Sequence, residues 1–146
     1  SSWDLYVSDT ANHCIRRITS GSDGVIGGGD AAEEIITTVV GQCTISGYSG
    51  DGGSPTEATL QSPHDIEFGP DGRLYLADSG NHVIRVVDFS TGLIQTVVGS
   101  GIAGFSGDEG SPLEARLREP YGLAFDGDGR LYIVDTLNNR IRVVEE

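Results

Sequence analysis

The stretch LYLADSGNHVIRVV, residues 74–87, occurs in this chain in three related copies. The other two are LYVSDTANHCIRRI at residues 5–18 and LYIVDTLNNRIRVV at residues 131–144. A repeated sequence of this kind is typical of a structural unit that buries its apolar face against neighbouring copies of itself. The sequence therefore predicts a repeat protein in which similar units stack side by side.

The repeating unit is longer than this stretch. Residues 47–87 align with residues 104–144, and a second matched sequence, IITTVVGQ at 35–42 and LIQTVVGS at 93–100, comes before each of them. The second and third copies begin 57 residues apart, at 74 and 131, whereas the first and second begin 69 residues apart, at 5 and 74. The longer interval contains an insertion at 19–34 that is rich in Gly and acidic residues, which predicts a flexible loop.

Each complete unit contains four short segments with strand character. In the second copy these are HDIEF, RLYLAD, VIRVVD and LIQTVVG, which begin at residues 64, 73, 83 and 93. They are rich in β-branched residues, are separated by Gly-containing turns and show no helical period. Four antiparallel strands in a unit of this length are typical of a β-propeller blade. The predicted fold class is therefore all-β, with propeller blades of four antiparallel strands.

The chain holds about two and a half such blades, because it begins in a second strand and stops in a third. We predict one domain with a partial blade at 1–42, a complete blade at about 43–100 and a partial blade at about 101–146. Closed propellers have about four to eight blades, so this segment cannot surround an axis alone. It is predicted to be part of a larger propeller, which the absence of Met favours, or of a ring-forming oligomer. Otherwise strand edges and several apolar residues would be partly exposed: Ile66, Phe68, Leu123 and Phe125.

The composition argues against two kinds of function. The formal net charge is −13, with 22 acidic residues and nine Arg, and the Arg are scattered along the chain. Because nucleic-acid binding draws on cations that neutralise phosphates, no nucleic-acid partner is predicted, and measurable RNA affinity at physiological salt would contradict this. No run approaches about 18 consecutive apolar residues, so no membrane span is predicted.

The two cysteines, Cys14 and Cys43, are too few to define a disulfide framework. Cys14 is replaced by Val83 and Arg140 in the other copies, so the fold does not require a cysteine there. Both a disulfide between the two and two partly buried thiols fit the sequence, and we favour the thiols. Zinc needs more soft ligands than this chain clusters anywhere, so no metal site and no cofactor are predicted.

An Asp-x-x-Asn sequence ends the second strand of every copy. An Asp at this position can accept hydrogen bonds from the backbone N–H groups of the following turn, and an Asn tolerates the left-handed conformation that closes it. We interpret these residues as structural staples of the turn and not as catalysts. The pairs are Asp9 and Asn12, Asp78 and Asn81, and Asp135 and Asn138.

Two further positions recur beside these pairs. His13 and His82 follow the Asn residues, but the third copy has Asn139 there, so we interpret the histidines as turn-packing residues and not as metal ligands. An Arg also recurs in the third strand. We predict that it braces neighbouring strands or blades through carboxylates, at Arg16, Arg85 and Arg142.

The sequences LYLADSGNHVIRVVD at 74–88 and SPHDIEFGPDG at 62–72 resemble the NHL repeat. The long connection GFSGDEGSP, which begins at residue 104, resembles those of bacterial NHL-repeat proteins. The resemblance covers nearly the whole chain, in three copies of which one is complete. It implies a propeller, commonly of about six blades, in which the first strand of each blade lines the central channel. It also favours an extracytoplasmic or secreted bacterial protein.

The first strand of the second copy carries His64, Asp65 and Glu67, where the third copy has the small residues Gly122 and Ala124 at the last two positions. By the resemblance, this strand lies near the propeller axis. Two carboxylates and an imidazole there could bind a cation or perform acid–base chemistry. Alternatively, these three side chains are solvated in a wet channel or paired with an Arg of a neighbouring blade. We favour this second interpretation.

The resemblance implies two candidate functions. The leading one is a non-enzymatic scaffold whose loops on one face bind a protein or a small ligand. Its candidate contact residues are Tyr48, Phe105, His64 and Tyr121. The alternative is a metal-dependent lyase or hydrolase with a site at the channel mouth, which requires ligands that converge from several blades. For that alternative the sequence offers residues from one blade only: His64, Asp65 and Glu67.

Overall fold

The computed structural model describes residues 4–29 and 31–145, and ten strands form three antiparallel sheets within them. Sheet 1 contains β1 (Leu5–Asp9), β2 (Cys14–Thr19) and β3 (Ile35–Val40). Sheet 2 contains β4 (Pro63–Phe68), β5 (Leu74–Asp78), β6 (Val83–Asp88) and β7 (Leu93–Val98). Sheet 3 contains β8 (Pro120–Phe125), β9 (Leu131–Asp135) and β10 (Arg140–Val144). The prediction of three, four and three strands is confirmed.

The strands of each sheet follow one another in chain order, so every connection within a sheet is a simple antiparallel reversal. Period-two alternation sets the two faces of the strands. For example, Leu76 pairs with Arg85 in the β5–β6 register, and Ala77 pairs with Ile84 on the opposite face. Among the described residues, no helix is long and apolar enough to cross a membrane.

The turn between the second and third strand of each sheet is a single turn of 3-10 helix, at Thr10–Asn12, Ser79–Asn81 and Thr136–Asn138. A residue in the left-handed conformation ends each turn: His13 with φ 59°, His82 with φ 60° and Asn139 with φ 54°. The prediction that the preceding Asn takes up this conformation is therefore wrong. The Asn is instead the last residue of the 3-10 turn, and the residue after it adopts the left-handed conformation.

Two apolar layers hold the sheets together, one on each face of sheet 2. The layer shared with sheet 1 contains Ile15, Val40, Ala58, Leu60, Leu74, Leu76, Val87 and Ile94. The layer shared with sheet 3 contains Tyr75, Ala77, Ile84, Val86, Val98, Leu117, Leu123, Leu131 and Ile133. Because both faces of sheet 2 are buried, its strands are apolar on both sides, as expected for a sheet packed between two others.

The outer faces of sheets 1 and 3 remain open. On sheet 3, Val134, Ile141 and Val143 are 41%, 71% and 44% exposed, whereas the matching residues of sheet 2 are buried against the next sheet. We predicted partial exposure at other positions. Leu123 is buried in the layer between sheets 2 and 3, and Ile66 and Phe125 pack against the two layers, so that prediction is wrong for Leu123. It holds for Phe68, which is 45% exposed, and for Ile66 and Phe125, which are only partly buried.

Cys14 and Cys43 form a disulfide, so our preference for two thiols is wrong. Their Cα atoms are 5.1 Å apart, and Cys14 is completely buried. The backbone at Gly41 brings them together, because its φ of 86° turns the chain back over the start of β2. A Cβ atom at Gly41 would lie 2.7 Å from the His13 carbonyl oxygen, so this close return requires glycine.

The insertion at 19–34 forms exposed turns and a short 3-10 helix at Ala31–Glu33. Acidic side chains accept hydrogen bonds from its backbone: Asp23 from the N–H groups of Val25 and Gly29, and Glu34 from that of Gly27. The acidic residues therefore cap the turns of the loop. Its predicted flexibility stays a prediction.

Candidate binding surface

One end of the three sheets carries the 3-10 turns and the two long connections, residues 41–62 and 99–119, and we call this end the turn face. The turns and connections are joined by backbone hydrogen bonds: Gly80 donates to the Gln61 carbonyl oxygen at 2.8 Å, and Leu137 donates to the Arg118 carbonyl oxygen at 3.0 Å. The loops that were predicted to form a recognition surface therefore lie together at this end.

Arg85 of β6 links the first long connection, residues 41–62, to sheet 2. Its side chain is completely buried, and its guanidinium donates to the carbonyl oxygens of Thr59 at 3.1 Å and Ser49 at 2.9 Å. It also contacts two carboxylates, that of Asp51 at 2.7 Å and that of Asp78 at 3.7 Å. The predicted pairing of this Arg with carboxylates is present, and both carboxylates belong to the same repeat unit. The planar guanidinium thus fixes both ends of the connection at once.

The third copy repeats this arrangement around Arg142. Its guanidinium donates to the carbonyl oxygens of Arg116 at 2.9 Å and Ser106 at 3.0 Å, and to Asp108 at 2.5 Å. In the first copy, Arg16 instead contacts Asp9 at 3.5 Å and is partly exposed. Both long connections are therefore held by the same set of contacts to a third-strand Arg.

The two aromatic residues of the connections lie against these guanidinium groups. The Arg85 guanidinium lies 5.5 Å from the centre of the Tyr48 ring, and the Arg142 guanidinium lies 5.3 Å from the centre of the Phe105 ring. Arg140 lies closer to Phe105, at 3.6 Å. Tyr48 and Phe105 are 47% and 44% exposed, so one side of each ring remains accessible on the turn face.

The Asp-x-x-Asn pairs form side-chain hydrogen bonds in all three copies. Asn81 donates to Asp78 at 2.9 Å and also to the Gly47 carbonyl oxygen at 2.8 Å. The second oxygen of Asp78 accepts a hydrogen bond from the Gln61 N–H at 2.7 Å. The backbone donor therefore comes from the connection before β4 and not from the following turn, as we had expected.

The other two pairs have related contacts. Asn138 donates to Asp135 at 2.8 Å and to the Gly104 carbonyl oxygen at 2.7 Å, and Asp135 accepts from the Arg118 N–H. Asn12 donates to Asp9 at 2.9 Å. In the second and third copies, the pair joins the turn to both ends of a long connection.

Burial raises the pKa of Asp78 from its ordinary value of 3.8 to about 6, although hydrogen bonds from Asn81 and the Gln61 N–H and the charge of Arg85 lower it. Because the folded state holds this proton more tightly than the unfolded state, stability contributed by the group is fully present below pH 3.8 and falls as the pH rises towards 6. We expect a carboxyl-carbon NMR titration of Asp78 to have its midpoint near 6.

Asp71 is the internal control for that titration. Partial burial raises its pKa, but hydrogen bonds from the backbone and side chain of Arg73 and from Tyr75 outweigh this effect, so its pKa is lowered. The two midpoints should therefore lie on opposite sides of the ordinary value. An Asp78 midpoint at or below that of Asp71 would contradict the prediction.

His64 and Tyr121 meet at the inner edge of the turn face. They lie near the start of β4 and β8, and their rings are stacked with centres 4.0 Å apart and planes at 18°. The carboxylate of Asp65, the next residue of β4, accepts hydrogen bonds from the N–H groups of Leu123 at 2.8 Å and Ile66 at 2.9 Å. Glu67 is exposed further along β4. The structure thus brings His64 to Tyr121 and Asp65 to Leu123, two contacts that join β4 to β8.

The four predicted contact residues lie in different places on the turn face: His64 stacks on Tyr121, Tyr48 lies against sheet 2, and Phe105 packs against Arg140 and Arg142 of sheet 3. His64 and Tyr121 are on the first strands of sheets 2 and 3, whereas Tyr48 bonds through its hydroxyl to Thr96 of β7, the last strand of sheet 2. The first and last strands of a four-stranded sheet are about 14 Å apart. A ligand of modest size therefore contacts either the stacked pair or Tyr48.

Sequence reasoning missed the role of the two recurrent histidines. His13 Nδ1 accepts a hydrogen bond from the Ser62 N–H at 3.0 Å, and His82 Nδ1 accepts one from the Glu119 N–H at 3.2 Å. Each bond joins one sheet to the chain just before the next sheet. Ser62 and Glu119 both have a positive φ, 48° and 47°, and both precede a Pro. The Pro that recurs at the start of β4 and β8 is the sequence signal that could have indicated this contact.

Within residues 4–29 and 31–145, no group of three or more His, Cys, Asp or Glu side chains is arranged to hold a metal ion. In this set, His64 stacks on Tyr121, the Asp65 carboxylate accepts hydrogen bonds from the Leu123 and Ile66 N–H groups, and Glu67 is exposed further along β4. Their closeness in sequence therefore does not produce a common ligand cluster.

Comparison with known proteins agrees with this architecture. The chain is 32% identical over 146 residues to the Arabidopsis thaliana protein named SUPPRESSOR OF QUENCHING 1, chloroplastic; the match covers 97% of this chain and 13% of that protein. The fold is similar to a crystal structure described as an auxiliary nutrient binding protein from Bacteroides ovatus, with a TM-score of 0.73 and 21% identity over 96% of this chain and 34% of the other. It is also similar to one described as a putative phosphatase from Bacteroides thetaiotaomicron, with a TM-score of 0.69 and 22% identity over 98% and 33% of the two chains.

The chain therefore spans about a third of the length of these two solved structures, and less of the plant relative. The sequence model of the family described as Teneurin NHL domain matches residues 1–105. This match confirms the resemblance to NHL repeats that the Asp-x-x-Asn-His stretches indicated, and the three sheets are segments of the corresponding propeller fold. The chain belongs to the Teneurin NHL domain family.

Proposed function

We propose that this chain is a non-enzymatic binding scaffold that recognises a protein or a small ligand on its turn face. The observation that carries the proposal is the stacked pair of His64 and Tyr121, held between two sheets at the inner edge of that face. Tyr121 is 39% exposed, and the hydrogen bond from Leu123 to Asp65 fixes the spacing of the strands beneath the pair. Rigid, exposed aromatic groups lose little conformational entropy when a ligand binds, which favours recognition.

The contacts of Asp65 favour binding over catalysis. Both of its oxygens accept backbone N–H groups, and the one from Leu123 joins β4 to β8. These hydrogen bonds hold the side chain against the backbone of β8 and give it a structural role. The metal-dependent lyase or hydrolase remains the alternative. Stoichiometric metal in the purified protein, measured by mass spectrometry, would favour it over the scaffold.

The solved structures support a common fold and leave the activity open. The Bacteroides ovatus structure is described as a nutrient binding protein, and the Bacteroides thetaiotaomicron structure is described as a putative phosphatase. At 21% and 22% identity, each shares only the fold with this chain. For this chain, the proposal therefore rests on the turn face itself.

We also propose that the chain works within a larger propeller or with further copies of itself. The support is the pair of open sheet faces, because Ile141 and Val143 are exposed where their counterparts Ile84 and Val86 are buried. The disulfide between Cys14 and Cys43 supports an oxidising compartment, which agrees with an extracytoplasmic or secreted location. A bacterial source stays a prediction.

Fragment screening by NMR tests the scaffold. We expect members of a library of small aromatic and polar fragments to shift the amide signals around His64 and Tyr121, and the variant Tyr121→Ser to weaken their binding about ten-fold or more. Phe68→Ser is the matched control, because Phe68 is also an exposed aromatic residue of an inner strand but lies at the far end of β4. Fragments that bind elsewhere, or that bind Tyr121→Ser unchanged, would contradict the proposal.

A further inference from the structure

A cavity of about 290 Å³ lies between sheets 2 and 3, at the end of the sheets opposite the turn face. It is bordered by the turn that joins β4 to β5, residues 69–73, and by the turn that joins β8 to β9, residues 126–130. The two turns come close together, since a Cβ atom on Gly129 would lie 3.6 Å from Pro70 Cγ. The cavity is therefore formed where the matching turns of two neighbouring sheets meet.

Two aromatic side chains line this cavity. Tyr75 of β5 and Phe125 of β8 pack edge to face, with ring centres 4.9 Å apart and planes at 70°. They approach each other beside Gly69, where a Cβ atom would lie 2.8 Å from Tyr75 Cε2 and 3.2 Å from Phe125 Cζ. The third unit has Asp126 at the position of Gly69. The glycine therefore keeps an apolar surface open that suits the C–H face of a ring-shaped ligand.

Hydrogen-bond donors and acceptors line the same cavity. The Arg73 guanidinium donates through Nε to Asp71 at 2.6 Å and through Nη2 to the Tyr75 hydroxyl at 3.0 Å. Its Nη1 group has no hydrogen-bond partner among the described residues, and the side chain is 42% exposed. The Asp128 carboxylate is 82% exposed, and its contact with Arg130, at 3.4 Å, uses Oδ2 and leaves Oδ1 able to accept. The cavity thus offers an unused donor on one turn and an unused acceptor on the other.

The charges around the cavity disfavour a ligand that is itself charged. An anion would meet the carboxylates of Asp71 and Asp128, in a chain with a formal net charge of −13. A cation would meet Arg73, whose guanidinium already lies 5.7 Å from the centre of the Tyr75 ring, where a ligand cation would otherwise bind. The volume is near the lower end of the range of small-molecule sites. These properties select a small neutral ligand that both donates and accepts hydrogen bonds.

We propose that this cavity binds one neutral sugar ring. Each hydroxyl group of a sugar both donates and accepts, so neighbouring hydroxyls can pair with Arg73 Nη1 and with the Asp128 carboxylate. The C–H face of the ring would pack against the pair of Tyr75 and Phe125. The site lies at the opposite end of the sheets from the pair of His64 and Tyr121, so it does not depend on the function proposed for the turn face.

The test titrates the 146-residue chain, followed by NMR, with the methyl pyranosides of glucose, mannose and galactose, one sugar at a time and apart from the fragment library. We expect at least one to bind with a Kd of about 1–10 mM and to shift the amide signals of residues 69–75 and 125–130. The uronic acid of the same ring should bind at least about three-fold more weakly, because its carboxylate meets those of the site. No binding of any of the sugars at about 50 mM, tighter binding of the uronic acid, or shifts confined to the turn face would overturn the proposal.

Three protein variants locate the binding. Arg73→Met removes the donors and should weaken sugar binding about ten-fold or more. Arg130→Met is the matched control, because Arg130 has the same position in the third unit but does not line the cavity, and it should change the Kd by less than about three-fold. Asp128→Ala removes the acceptor from an exposed turn and should weaken binding about five-fold or more, which keeps the test valid if Arg73→Met does not fold. Unchanged binding to Asp128→Ala, or equal losses in Arg73→Met and Arg130→Met, would overturn the site.

Discussion

The variant Arg85→Ala is expected to lower the free energy of unfolding by about 3–5 kcal/mol, the largest effect that we predict for one substitution. The buried guanidinium contacts the carboxylates of Asp51 and Asp78 and the carbonyl oxygens of Ser49 and Thr59. Removal of the cation leaves the buried Asp78 carboxylate without its neutralising charge and frees the connection above it. Chemical denaturation followed by fluorescence or circular dichroism measures the change.

Arg16→Ala is the matched control for Arg85→Ala, since Arg16 occupies the same position in the first copy. Its side chain is 26% exposed, and its ion pair with Asp9 is longer, at 3.5 Å. A partly exposed pair of this kind contributes about 1 kcal/mol or less. Equal losses in the two variants would show that the buried network around Arg85 adds no stability. Arg85→Lys should lose most of the same free energy, because a point charge cannot bond to both ends of the connection.

Loss of the disulfide between Cys14 and Cys43 is expected to destabilise the chain by about 3 kcal/mol. The bond closes a loop with a sequence separation of 29, which contains the insertion at 19–34 and joins the start of β2 to the segment after β3. Without it, the unfolded chain gains the conformational entropy of that open loop. For a chain of this size, the melting temperature should fall by roughly 10 °C on reduction or in the variant Cys14→Val with Cys43→Ser.

The double variant also provides the control. A reducing agent should lower the melting temperature of the natural chain and leave that of the double variant unchanged, which separates loss of the bond from other effects of the reductant. Val at position 14 is the residue of the second copy, so the substitution keeps a side chain that the fold accepts there. If reduction leaves the melting temperature of the natural chain unchanged, the bond does not contribute to stability.

The candidate site was only partly predictable, and its residues show why. The sequence placed Tyr48, Phe105, His64 and Tyr121 on one face, because each follows or precedes a repeated turn or connection. It could not show that His64 stacks on Tyr121, since they are 57 residues apart, at 64 and 121, and meet only when two sheets pack. It also suggested His64, Asp65 and Glu67 as a set, whereas in the structure Asp65 is hydrogen-bonded to the backbone of β8 and Glu67 is exposed further along β4.

Local sequence patterns were enough to predict the repeat, the number and order of the strands and the resemblance to NHL repeats. These features depend on local patterns, namely the β-branched runs, the Gly-containing turns and the fixed spacing of Asp, Asn and Arg. The disulfide, the histidine bonds between sheets and the burial of Arg85 became evident only from the packed sheets. Each of these depends on distances between residues far apart in the chain, and such distances are set by how whole sheets pack and not by any one segment.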